Sequence, residues 1–255
     1  MTLDLVLSKF GPLGKGARER LQQEVQRQLI EEAFIGRIQE TYGMDLNRYS
    51  SSNFGRMSYG TTLLFMDLLD KSFSRAGVTL PPDPTVLETG VGTWNYVEGI
   101  YNFVKVNSGS DTVKIHGIEY YDNPENSRVK NRISGLGGVT YSHMDFFSMP
   151  VSEEYDLVVA NHPLATEVVY NHWDIPYRPL EEFWSRAINM LKPGGVLFAT
   201  GYLYNEGASA FNSFPKQERI SNGKYESPVA TINGINMFGV KGFDNNIVMM
   251  ARKAA

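Results

Sequence analysis

From Pro84 onward the chain alternates short apolar runs with longer polar or amphipathic stretches, and this rhythm limits the fold more than any other feature. The runs are TVLET, VKIHGIEYY, VTYSHM, YDLVVAN, GGVLFATGY and NIVMMARK. Helical candidates fall between several of them, at Val97–Val104, Pro124–Ser134 and Leu180–Leu191. Strand, helix and strand in succession make a crossover, so the series predicts a doubly wound, mostly parallel α/β sheet. The closing stretches PVATING and NNIVMMARK have no long helix between them and predict an antiparallel pair at the C-terminal edge.

The segment before the proline cluster LPPDPT, Leu80 to Thr85, follows a different period. Ala17, Leu21, Val25, Leu29, Ala33 and Phe34 recur at steps near four, which is one face of a helix. A second helical run carries Leu63, Leu64, Phe65, Met66, Leu68, Leu69 and Phe73, and Gly77 is placed to stop it. Between them NRYSSSNFGRMSYG reads as a loop. The expected division is a helical extension over 1–80 and an α/β domain over 84–255.

Composition narrows function by exclusion. The 255 residues include no cysteine, which removes disulfides, thiolate nucleophiles and cysteine metal ligands. The four histidines, His116, His143, His162 and His172, lack the spacing of a helical metal site, so no metal is expected. A net charge of −4 without a block of like charges argues against nucleic acid and anionic membranes as partners. No run approaches the ~18 apolar residues of a membrane span, and the amino terminus does not read as a signal peptide. The expectation is a soluble, cytoplasmic protein acting on a small molecule, with its oligomeric state left open.

The stretch VLETGVGTW, Val86 to Trp94, sits at the end of the first predicted strand. In an open parallel sheet, ligands bind beyond the carboxyl ends of the strands. Gly90 and Gly92 allow a tight turn there and close approach to the backbone. Neither a dinucleotide fingerprint nor a P-loop is present, since Asn95 stands where the last glycine would fall and no Lys-Ser/Thr pair follows. Glu88 would repel phosphate and attract an ammonium group. Two glycines alone serve a packing turn as readily as a ligand. The next strand ends in Glu119, suited to a ribose diol. The third is followed by Asp145, suited to an adenine amino group, with Phe146 able to cover the ring. The fourth ends in Asn161.

In this order and spacing, VLETGVGTW, GIEYYD, MDFFSMP, YDLVVANHPL and LKPGGVLFATG resemble the motifs of the class I S-adenosylmethionine-dependent methyltransferase superfamily. The resemblance runs from Pro84 to about Lys253. It implies a Rossmann-like sheet with S-adenosyl-L-methionine as cofactor. Glu88 and Gly90 would hold the methionine part, Glu119 the ribose, Asp145 and Phe146 the adenine, and Asn161 the amino-acid part or the substrate. Gly92, Trp94 and Tyr120 complete the cofactor side. The leading helices would form a lid, with Tyr59 as a cofactor contact. Two departures stand out. Trp94 occupies the third glycine position, expected to set a bulky ring beside the cofactor. The Glu88–Glu119 spacing also exceeds the ~20 residues usual in such units.

NHPL, Asn161 to Leu164, resembles the N-P-P-Y/F motif of enzymes that methylate amide or ring-amino nitrogens. Here His162 stands at the second position, in place of the first proline, and Leu164 at the fourth, in place of the aromatic, which turns the reading away from nucleic-acid bases. His162 serves either as a general base or as a cap to the strand end. Asn161, His162 and Tyr177 are the catalytic candidates. Aromatic loops with Tyr170, Trp173, Tyr177, Tyr202 and Tyr204 suit a small organic acceptor or a cation. Methyl transfer to a small-molecule nitrogen or oxygen is the leading expectation. Attack at the methionine Cγ, by an acceptor or by the cofactor's own amine, is the second. A binding module with a degenerate site is the third.

Overall fold

The computed structural model describes residues 36–44, 62, 65–66, 69–70, 72–74, 76–92, 94, 96–120, 126–161, 178–202, 225–226 and 246–253. Seven strands form one sheet: β1 (Thr85–Thr89), β2 (Lys114–Glu119), β3 (Val139–His143), β4 (Tyr155–Asn161), β5 (Leu191–Tyr202), β6 (Tyr225–Glu226) and β7 (Asn246–Lys253). Their order is β3-β2-β1-β4-β5-β7-β6. β1 to β5 are mutually parallel, and β7 runs antiparallel to both β5 and β6. This is the Rossmann-like, doubly wound sheet with an antiparallel C-terminal edge that the alternation predicted. The edge differs in detail. NIVMMARK pairs inward with β5 and outward with Tyr225–Glu226, while PVATING lies outside the described residues.

Among the described residues, three helices connect the strands: α1 (Val97–Ser108), α2 (Asn126–Ile133) and α3 (Leu180–Asn189). α1 ends at Gly109, whose left-handed backbone (φ 65°) lets its N–H close on the last-turn carbonyls. A 3-10 turn at Phe146–Ser148 follows β3.

Strand alternation sorts the side chains into two cores. Val86, Ile115, Leu157, Val159, Val196 and Phe198 enter the first, with Val97, Ile100, Phe103 and Val104 of α1. Leu87, Ile118, Val158, Ala160, Leu197 and Ala199 enter the second, with Leu180, Phe183, Trp184 and Ile188 of α3. At the amino-terminal rim Asp156 accepts from the Thr85 N–H at 2.8 Å and from Lys192 at 2.7 Å, tying β1, β4 and β5 at the end opposite the glycine turn.

The described part of the leading segment belongs to the first core. Ile38 and Tyr42, on a helical segment at 36–42, join Phe65, Met66, Leu69 and Phe73 there. Phe73 meets Phe103 edge-on at 5.0 Å between ring centroids and lies 6.4 Å from Phe198. Phe73→Ala is therefore expected to destabilise the sheet itself. We expect a loss of about 3–5 kcal/mol in one cooperative urea transition. A separate early transition would mean the segment folds independently of the sheet.

Candidate functional site

β1 lies at the point where strand order reverses, with β2 on one side and β4 on the other. The carboxyl end of β1 is followed by Gly90 and Gly92, both exposed and both left-handed, at φ 68° and 52°. A Cβ on either would meet nothing within 4 Å, so the turn presents bare backbone to open space. Its amide protons point elsewhere. The N–H groups of Gly90 and Val91 donate to the Ile118 carbonyl at 2.9 and 3.2 Å, and that of Gly92 to Glu119 Oε2 at 2.7 Å. All three anchor the turn to β2. The surface they leave suits an apolar or cationic group better than an anion that would need those donors.

Trp94 differs most from expectation. Its ring is fully buried in the first core and is not set beside a ligand. The space it fills exists because β2 has a glycine in register with Glu88: a Cβ on Gly117 would stand 2.4 Å from Trp94 Cη2. The backbone at Trp94 keeps the left-handed conformation (φ 48°) that a third glycine would adopt freely. Such a conformation costs a residue with a side chain about 1–2 kcal/mol. Burying an indole returns about 4–6 kcal/mol at ~25 cal/mol per Å2, so packing wins.

Glu88 is likewise fully buried, not at the rim. It shares the strand face of Val86 and so points into the first core. Trp94 Nε1–H donates to its Oε2 at 2.6 Å. Oε1 is buried and has no hydrogen-bond partner among the described residues. Burial pushes the carboxyl up from 4.5 to about 8, against smaller opposing pulls from Trp94 and Tyr96.

Further along the rim, Glu119 ends β2 and Tyr120, 42% exposed, follows it. His143 Nε2 donates to the Tyr120 carbonyl at 2.6 Å, and Met144 N–H to the Glu119 carbonyl at 2.9 Å, so the ends of β2 and β3 are joined. Asp145 caps the 3-10 turn, accepting from Phe147 N–H at 2.9 Å and Ser148 Oγ at 3.2 Å. Phe146 is buried in the second core against Phe183, with ring centroids 4.8 Å apart. Its ring face is therefore engaged by α3 and is not laid open to cover a base.

Arg186 was not singled out from sequence. It donates through Nε to the Phe146 carbonyl at 3.0 Å and also bonds the Met149 carbonyl, so α3 holds the Asp145 turn in place. It sits at the flank of the buried face of α3, half-buried, where the sequence pattern gives no sign of what it reaches. Asn161 is the last residue of β4, paired with Thr200 of β5. Tyr59, His162 and Tyr177 lie outside the described residues. Among the described residues no group of three or more His, Asp and Glu is arranged to hold a metal, and no helix is long and apolar enough to cross a membrane.

No family model matches the chain, and no curated protein matches it either. Solved structures with a similar chain path include a SAM-dependent methyltransferase from Aquifex aeolicus, at 13% identity and a TM-score of 0.49, covering 82% of this chain and 98% of that one. The N-methyltransferase NodS from Bradyrhizobium japonicum WM9, in complex with S-adenosyl-L-homocysteine, is 13% identical with a TM-score of 0.47, covering 87% and 99%. TrmN from Thermus thermophilus is 15% identical with a TM-score of 0.49, covering 72% and 48%. At this identity the residue roles rest on the geometry of the chain itself.

Two outcomes test the buried unit. Gly117→Ala drives a methyl into the indole and is expected to cost about 1–3 kcal/mol in urea unfolding, with a change in tryptophan fluorescence. For Glu88, the folded protein holds a proton that the unfolded chain releases above pH 4.5, up to about pH 8. The stability is full below the lower value and is lost as pH rises through the window. Urea denaturation should show wild type falling by on the order of a few kcal/mol across that range, and Glu88→Gln nearly flat.

Proposed function

We propose that this chain binds S-adenosyl-L-methionine across the carboxyl ends of β1, β2 and β3 and transfers its methyl group to a nitrogen or oxygen of a small molecule. The observation that carries the reading is the tied rim. Glu119 at the end of β2 holds the exposed Gly92 turn after β1, and its own carbonyl holds the residue before Asp145. Three neighbouring parallel strands thus bring a bare-backbone turn and two carboxylates to one edge, with a third carboxyl buried behind them.

The residues fit the cofactor. An adenosyl sulfonium is cationic, and the turn it would rest on offers open space and no free anion-binding donor among Gly90, Val91 and Gly92. An ionised carboxylate offers about four lone-pair sites, so one can accept from a ligand while also accepting from its own chain. Glu119 would accept from the ribose hydroxyls while keeping the Gly92 N–H. Asp145 would accept from the adenine amino group while capping its turn, and the exposed Tyr120 ring is available to the sugar or base. When bound, the cofactor supplies an electrophilic methyl on a sulfonium leaving group.

The protein aligns the acceptor, excludes water and removes a proton where the nucleophile carries one. Asn161 ends the strand beside β1 and would orient the acceptor. His162 is the proposed base, and Tyr177 is the other proposed catalytic residue from the sequence that follows β4. The segment over 1–80, with Tyr59, is proposed to cover the site.

Attack at the methionine Cγ drew support from the Trp94 substitution, the altered NHPL motif and the aromatic loops, of which the Trp94 side chain alone lies among the described residues. The buried ring withdraws the first of these supports, so methyl transfer is preferred. Incubation with S-adenosylmethionine, alone and with amine and phenol mixtures, tests the choice through the nucleoside formed. S-adenosylhomocysteine that appears only with an acceptor is expected. Methylthioadenosine formed without one would replace methyl transfer by intramolecular chemistry.

A further inference from the structure

Glu88 is more than a buried wall of the turn. Its carboxyl is 0% exposed; Oε2 accepts from the indole, and Oε1 is buried with no hydrogen bond of normal geometry, Tyr96 exerting only a weaker pull on the group. A carboxylate cannot remain ionised in that setting without a compensating charge. The exposed Gly90 follows two residues later, within about 7 Å at extended-chain reach. A unit positive charge at the turn, on the order of 7–10 Å from the carboxyl, with an effective dielectric near 20, favours the ionised form roughly fifteen- to fifty-fold.

We propose that Glu88 carries a proton in the ligand-free protein and releases it to solvent when a cationic ligand settles against the Gly90–Gly92 turn, coupling capture of the ligand to proton release. The identity of that cation rests on the S-adenosylmethionine reading above. Among the described residues, the groups around Glu88 come from four elements, the loop before α1 and the leading segment. In register, β2 presents Gly117 and β4 presents Val159. The loop presents Trp94 and Tyr96, and Tyr141 of β3 lies 6.4 Å from the indole. The first turn of α1 carries Glu98. In the leading segment Arg37 and Asp70 are paired with each other. Among the described residues no lysine, arginine or histidine offsets the burial that raises the affinity of Glu88 for its proton.

Calorimetric titration of the full chain with S-adenosylmethionine tests the coupling, near neutral pH in buffers of different ionisation enthalpy. Wild type should release most of one proton per ligand, and its affinity should rise roughly tenfold or more from about pH 5.5 to about pH 8. Glu88→Gln should bind with little proton release and a flat profile. Methylthioadenosine, which has no cationic centre, should bind wild type without releasing a proton. Difference infrared spectroscopy of wild type gives a readout that needs no variant: the carbonyl stretch of a neutral carboxylic acid should vanish on adding S-adenosylmethionine. Clear binding heat without proton release, or equal release by Glu88→Gln, overturns the coupling and leaves the cofactor reading intact. No binding heat with S-adenosylmethionine overturns both.

Discussion

The hydrogen bond from the Trp94 indole to the Glu88 carboxyl, made in a space that Gly117 leaves open, is the interaction on which the site depends. It holds a residue with a large side chain in a glycine-like conformation. That conformation directs the chain from the glycine turn into α1: Trp94 N–H closes on Val91, and the Trp94 carbonyl receives the first amide of the helix. The turn in turn keeps its amides on β2. A contact deep in the core thus determines what the rim shows to solvent.

The sheet does the rest of the positioning. Parallel strands place all their carboxyl ends on one side, and cores on both faces leave the strand ends as the accessible edge. Asp156 clamps the opposite rim. Between β2 and β3, main-chain and histidine contacts fix Glu119 and Asp145 relative to each other. Arg186 steadies the turn that carries Asp145 from the helix side. The loops are thereby held by the scaffold at several points rather than by their own sequence.

Much of this architecture was legible because period-2 and period-3.6 patterns differ, and helices α1 to α3 fall within a few residues of their predicted bounds. The antiparallel edge was legible from a missing crossover helix. Its outer partner was not, because nineteen residues separate Tyr225–Glu226 from β7 and pairing at that range leaves no local mark. At the site, Glu119 and Asp145 were placed by their position after apolar runs. The direction of Trp94 was missed because a bulky loop residue reads as outward-facing. The counter-signal was Gly117 inside IHGIE, since a glycine within a strand marks close approach by another group. Strand phase also carried the burial of Glu88, which alternates with Val86, but an acid at a strand end is ordinarily solvated. The capping by Asp145 was written in DFFS, a short polar residue followed by a serine three positions on.

The exchange of a missing side chain at 117 for a large one at 94 has an evolutionary consequence. Neither position can drift alone. Shrinking the indole empties a cavity and strands the carboxyl, while adding bulk on the strand collides with the ring. Homologues that restore a small residue in the loop should therefore carry a larger one in the facing strand, a covarying pair readable from sequences alone.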